Sequence, residues 1–240
     1  MIIYYRYMNL DNIVIPVYVN NLPERKDRLE SVKSTFEGRD EFELHIMQSI
    51  KKDRGADGLW ESIKNVIRLV IEGDDEVVII CEDDHVFTSD YDRNLFLKNV
   101  VEAGRQGCQV LYGGIGNYHN AVPVSEHRFW IDWSWCAQFM VVYRPAFEVI
   151  LNAKFGPNDV ADEFLSVLLS NKMTFFPFIS VQREFGYSDV TFSNNKAGTM
   201  TRYFVETTKR LAMLKRIQKH YQCILKPPFR VPEKEIIDVR

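Results

Sequence analysis

The sequence predicts one α/β domain, a mostly parallel sheet flanked by helices, followed by a basic C-terminal helix. Three observations carry this expectation. Hydrophobic patterns alternate in the order strand, helix, strand, helix, strand between Ile13 and Cys81. The last of these strands, Val77 to Cys81, is a short apolar run of the kind buried on both faces of a sheet. Three carboxylates, Glu82, Asp83 and Asp84, follow it directly. Ligands of open α/β sheets bind beyond the carboxyl ends of the strands, so an acidic cluster there is a candidate site for a hard divalent cation. The competing reading is a solvated turn or a cap for the next element.

Composition bounds the rest. A chain of 240 residues with 46% hydrophobic and 26% charged residues reads as a soluble globular protein with a sizeable core. The net charge of −3 is unevenly spread. Residues Thr201 to Arg240 hold 10 Lys and Arg against 4 Asp and Glu, +6, which leaves −9 on the first 200 residues. An acidic body without a recognition module argues against nucleic acid, whereas the basic end suits an anionic surface, lipid or phosphate-rich. Cys81, Cys108, Cys136 and Cys223 show no metal-binding spacing and read as reduced thiols of a cytosolic protein. No signal peptide is evident. The apolar start is interrupted by Arg6, Asn9, Asp11, Asn12 and Pro16, too often for a membrane span.

In chain order, Ile13 to Val19 is the first strand, with Pro16 suggesting a distortion or an edge position. Asn20, Asn21, Leu22 and Pro23 turn into a helix running to about Phe36. Arg25 and Arg28 beside that loop are either phosphate ligands or part of a solvated face. Phe42 to Gln48 is a second strand, and Lys51 to Asp57 a polar loop. Gly58 to Glu72 is a helix with Trp60, Ile63, Ile67 and Val70 on one stripe. Beyond the acidic cluster come a helix over Tyr91 to Gly104, a strand over Gln109 to Tyr112, and a long loop over Gly116 to Glu126. Phe129 to Tyr143 contains Trp130, Trp133 and Trp135, which are core or a platform for sugar rings. Pro145 opens a helix. Asn158 to Leu169 forms another, capped by Asp159 or a neighbour, with Phe164, Leu165, Val167 and Leu168 inward. Asp162 and Glu163 in its first turn either stabilise the helix dipole or supply a base whose pKa that dipole holds low. Met173 to Val181 is strand-like, and Thr201 to about Tyr221 is a basic amphipathic helix with Phe204, Leu211, Leu214 and Tyr221 near one face. That helix either packs on the domain or lies on a membrane surface.

Taken in order, these landmarks resemble the lipopolysaccharide-biosynthesis glycosyltransferases of family 25. The resemblance is carried by N-L-x-x-R-x-D-R at Asn21, Leu22, Arg25, Asp27 and Arg28, and by the apolar strand ending in Glu82-Asp83-Asp84. An acid before Phe164-Leu165 (Asp162) and a downstream Ser188-Asp189 complete it, over roughly residues 13 to 190. The chain departs from the family where a Ser-His pair is usual, because Ser62 is followed by Ile63. The resemblance implies a bacterial enzyme with a GT-A domain over 1–198 and a basic helix and tail over 199–240. It would move a sugar from a nucleotide-diphosphate donor, such as a UDP-sugar, to a saccharide or lipid-linked saccharide acceptor, with inversion. Asp84 would ligate Mn2+ or Mg2+, with Glu82 on the ribose or on the metal through water. Asn20, Asn21, Leu22, Arg25, Arg28 and Asp83 would hold the nucleotide, Asp162 or its neighbour Glu163 would be the base, and the three tryptophans would wall the acceptor. A third metal ligand from Asp189 or His220 and peripheral membrane contact by the last helix complete these expectations. The rival classes are a nucleotide-sugar-binding module without turnover and a metal-dependent phosphohydrolase.

Overall fold

The computed structural model describes residues 10–186 and 198–224, with only the backbone of 223 and 224. Ser188, Asp189, Cys223's thiol and the tail from 225 lie outside the described residues. Along the chain come β1 (Ile15–Asn21), α1 (Lys26–Phe36), β2 (Phe42–Gln48), α2 (Gly55–Val70) and β3 (Val77–Glu82). They are followed by β4 (His85–Phe87), α3 (Arg93–Arg105), β5 (Val110–Tyr112), β6 (Ala121–Pro123), β7 (Arg128–Ile131) and β8 (Phe139–Tyr143). The chain continues with α4 (Arg144–Asn152), α5 (Ala161–Leu168), β9 (Lys172–Phe175), β10 (Ser180–Gln182) and α6 (Thr199–Ile224).

Eight strands form one sheet in the order β2-β1-β3-β8-β5-β9-β7-β6, and β4 pairs with β10 in a small second sheet. The pairs β1–β2, β1–β3 and β5–β9 are parallel, and only β8 and β7 run against the other six strands. The chain leaves β1 for β2 on one side and returns to β3 on the other. That places a topological switch point between β1 and β3, where ligand crevices of open α/β sheets form.

The apolar run of β3 is buried on both faces, as its composition requires. Val78 and Ile80 join the core under α2 and α4, and Ile79 and Cys81 join the core under α1 and α3. Each of these four residues is at most 1% exposed, so each contributes roughly 2 kcal/mol of burial. The amphipathic stripe of α2 packs the same way, with Trp60, Ile63, Ile67 and Val70 all buried.

Several local expectations are corrected. Pro16 lies in an interior strand. The Ile15 N–H bonds Glu41 on the β2 side, so the missing donor at Pro16 faces β3, one step before that register begins at Val17. α2 starts at Gly55, earlier than its apolar stripe, because two glycines, Ala56 and Asp57 form its first turn. The Gly116–Glu126 loop contains the edge strand β6. Met173 to Val181 is split between the two sheets, because Pro177 has no N–H to continue a ladder. Asp159 does not cap α5; its carboxylate accepts the Gly156 N–H in the preceding turn at 2.6 Å. Val167 points to solvent, 86% exposed, since an eight-residue helix buries only one side.

α6 lies on the body. Met200, Phe204 and Leu211 enter the core, and Thr207 donates to the Gly116 carbonyl at 2.6 Å. No helix among the described residues is long and apolar enough to cross a membrane.

The tightest backbone approach behind the sheet is at Gly113-Gly114, where Ile179 and Ser180 donate to the Gly113 carbonyl. A Cβ on Gly114 would stand 2.1 Å from the Ser180 carbonyl oxygen. Gly114→Ala is therefore expected to destabilise the chain by about 1–3 kcal/mol, read as a fall in the urea midpoint.

Candidate active site

The end of β1, the end of β3 and the start of α2 meet around a cleft of about 520 Å3. Asn20, Leu22, Glu24 and Arg25 line one wall, and Glu82 and Asp83 lie on its floor. The opposite wall is the β2–α2 connection, Ser49 to Asp53, with Gly55, Gly58, Leu59 and Ser62. That connection is pinned from within α2. The Ile50 N–H donates to Ser62 Oγ at 2.8 Å, and Ser62 donates to the Gly58 carbonyl at 2.8 Å. Gly58 is required there, because a Cβ would meet the Ile50 carbonyl oxygen at 2.4 Å.

Behind the floor lies a buried charge network. Asp83 accepts from Asn21 Nδ2 at 2.9 Å, Arg25 Nη1 at 3.4 Å and Arg28 Nη1 at 3.1 Å. Asp84 Oδ2 accepts from Arg28 Nη1 at 3.3 Å and from Gln182 Nε2 at 2.7 Å. Asp84 Oδ1 is buried and has no hydrogen-bond partner among the described residues. Burial works to lower the Arg28 pKa, but the carboxylates of Asp84 and Asp83 outweigh it and the net shift is upward. Arg28 thus stays charged while only 4% exposed.

The remaining acids raise one another. Burial, then Asp84 and Asp162, push Glu82 well above the usual carboxylate range. Burial and the neighbouring Asp83 raise Asp84 to about 6, against the pull of Arg28. Asp162, on the first turn of α5, is raised to about 6 by burial, although the backbone N–H groups of Cys136 and Ala137 oppose the shift. The Cys136 N–H reaches Asp162 Oδ2 at 2.8 Å, from a residue with φ of 60°. The expectation that the helix dipole would hold this acid low is corrected, because burial is the larger effect.

The predicted residues therefore divide into groups. Asn20, Leu22, Arg25, Glu82 and Asp83 line the cleft. Asn21 and Arg28 stand behind Asp83, and Asp84 joins them through Arg28. Asp162 interacts electrostatically with Glu82, whereas Glu163 next to it is exposed to solvent. None of the three tryptophans lines this cleft, though Trp135 adjoins Cys136, whose N–H holds Asp162. Trp130 donates to the Ser170 carbonyl, Trp133 stacks on His119 at 4.5 Å, and Trp135 packs edge-on against Tyr203 of α6. His220 sits exposed near the end of α6. Residues not singled out beforehand are Gln182 and the β2–α2 wall; the one available signal was the polar, glycine-containing stretch from Lys51 to Gly58.

No family model matches the chain, and no curated protein does. Among solved structures, it is similar to a glycosyltransferase involved in the glycosylation of the major capsid of PBCV-1, with 12% identity over 67% of this chain and 81% of that one and a TM-score of 0.43. It is also similar to an apo UDP-glucose pyrophosphorylase, at 12% identity over 81% and 82% of the two chains and a TM-score of 0.42. A third is HddC from Yersinia pseudotuberculosis, at 7% identity over 82% and 78% and a TM-score of 0.40. Likenesses of this size carry no weight for function, which is argued below from the site's own residues.

Two outcomes follow from the electrostatics. Arg28→Ala leaves two buried carboxylates without their shared cation and is expected to cost about 3–5 kcal/mol in urea unfolding at neutral pH. For Asp162, a folded pKa of about 6, raised above the ordinary aspartate value, means its stabilising contribution is full below the unfolded value and is lost as pH rises through about 6. His85, held neutral by burial with its pKa lowered to about 3, works in the opposite sense. The readout is therefore a difference: Asp162→Asn should gain stability relative to the parent chain between pH 4 and pH 8.

Proposed function

We propose that this chain is a glycosyltransferase of the GT-A kind, taking a sugar from a nucleotide-diphosphate donor such as a UDP-sugar. The observation that carries the reading is the cleft at the β1/β3 switch point, with cations on both walls, Arg25 on one and Lys51 and Lys52 on the other, over an acidic floor. Its volume of about 520 Å3 suits a nucleotide-sized ligand. The walls would take the nucleotide, with Asn20 and Leu22 beside it, while Asn21 and Arg28 hold the floor in place from behind.

A divalent cation, Mn2+ or Mg2+, fits the donor set. Asp84 Oδ1 is a buried carboxylate oxygen with no partner among the described residues, and burial and neighbouring acids raise the Glu82 and Asp84 pKa values. Among the described residues no group of three or more His, Cys, Asp or Glu side chains is placed to hold an ion by itself. An ion here would draw its other ligands from phosphate oxygens and water, as Mg2+ commonly does. When bound, it would stabilise the charge that grows on the diphosphate leaving group.

The chain's own residues supply the rest. Asp162 is held by the Cys136 N–H so that one carboxylate oxygen is fixed, and its pKa of about 6 leaves it ionised at neutral pH yet basic enough to accept a proton. It would take the acceptor hydroxyl proton during direct displacement, giving inversion. Glu163, exposed on the outer side of α5, is the weaker candidate. The acceptor is proposed to be a saccharide or a lipid-linked saccharide of a cell-surface glycan, as the family-25 resemblance implies.

Calorimetric titration of UDP with and without Mn2+ tests the site. Binding should require the metal and be lost in Asp84→Ala, while Asp162→Asn keeps UDP binding and lowers transfer by about 100-fold or more. Glu163→Gln should leave transfer almost unchanged. Binding indifferent to both the metal and Asp84 would sink the metal-dependent reading. It would favour a binding module without turnover, in which the saturation of Asp83 by Asn21, Arg25 and Arg28 serves structure alone.

A further inference from the structure

α6 has two apolar sides, and only one of them is used. Met200, Phe204, Thr207 and Leu211 are buried against the body. Two anchors on the flanks set the rotation of the helix: Arg210 donates to Asn117 and to the Tyr118 carbonyl, and Lys215 donates to the Ser125 carbonyl at 3.1 Å. With the helix held this way, a second set of apolar side chains faces solvent. Val205, Met213, Ile217 and Tyr221 are 45%, 50%, 45% and 56% exposed. The last three follow one another at four-residue spacing, so they are neighbours on one side of the helix.

Charge decides what can cover them. Over Thr199–Ile224 the helix carries six Lys and Arg and a single acid, Glu206, a net +5. Lys209 and Arg216 stand four and three residues from Met213 on the same outward face, and both are exposed. Residues 1–200 carry −9, so an anionic surface is repelled by the body and attracted by this helix. We infer that the outward face of α6 is a docking surface for an anionic phospholipid bilayer. Met213, Ile217 and Tyr221 enter the headgroup boundary and the neighbouring cations pair with lipid phosphates. The buried side of α6 stays on the protein throughout, so docking needs no unfolding. The helix start is tied to the body as well, since Glu184 accepts from the Gly198 and Thr201 N–H groups. Glu184 lies two residues beyond Gln182, the partner of Asp84, so a bound membrane would hold the acidic site in a set orientation.

The test is co-sedimentation of the full chain with phosphatidylcholine vesicles, with and without phosphatidylglycerol. Binding is expected only to the anionic vesicles and should weaken as salt rises. At about 1 kcal/mol per cation near the surface, the pair Lys209→Gln and Arg216→Gln should weaken it roughly 25-fold. Met213→Ser with Ile217→Ser should weaken it several-fold, and since all four side chains are exposed the variants should keep the parent circular dichroism. If the apolar pair fails to fold, the charge pair carries the test. Absence of binding to anionic vesicles would overturn the inference, as would equal binding by the charge pair. Self-association in solution that the apolar pair abolishes would also overturn it, assigning the face to a second copy of this chain.

Discussion

The arrangement at the ends of β1 and β3 depends on one buried cation. Arg28 reaches both Asp83 and Asp84 with a single guanidinium nitrogen, at 3.1 and 3.3 Å, while only 4% exposed. Two adjacent carboxylates at the end of a strand repel each other, and in a buried setting that repulsion is weakly screened. Arg28 offsets it from behind, on the first turn of α1, and leaves one oxygen of Asp84 without a hydrogen-bond partner among the described residues. The cleft therefore has a floor whose negative charge is only partly compensated.

Around this point the fold supplies position rather than reactivity. The β2-β1-β3 order opens the crevice, and Ser62 on α2 holds the connection that forms its far wall. The Ser62 hydroxyl is used here to bridge Ile50 and Gly58, and the following Ile63 is core. On the other side, Arg54 at the start of α2 donates to the Asp159 and Gly156 carbonyls. It thereby ties the turn before α5 to the same helix end. Asp162 and the β2–α2 wall are thus set by a common support.

The aromatic segment is divided by the fold. Only Trp130 lies on β7, which runs against β9 and so finishes at the opposite end of the sheet from the ends of β1 and β3, whereas Trp135 adjoins Cys136, whose N–H holds Asp162. Trp135 then meets Tyr203 under α6, and Trp133 meets His119. Strand direction, invisible in a local pattern, decides which end of the sheet a side chain reaches.

What the sequence determined by itself was local and periodic. The two-sided burial of Val78 to Cys81, the stripe of α2, the bounds of β2 and the placement of three acids after a strand are all consequences of short-range pattern and backbone preference. Only the tertiary structure decided how charges pair and how far burial shifts them. Arg28 meets Asp83 and Asp84 across more than fifty residues, and Gln182 meets Asp84 across nearly a hundred. Asp162 is raised toward 6 where its helix position alone argued for a lowered value. The same holds for α6: Phe204 and Leu211 marked one apolar side in the sequence, while the exposed side at Met213 and Ile217 emerged only once the body had covered the first. Pairing and desolvation depend on which distant groups share a space, and no local pattern encodes that.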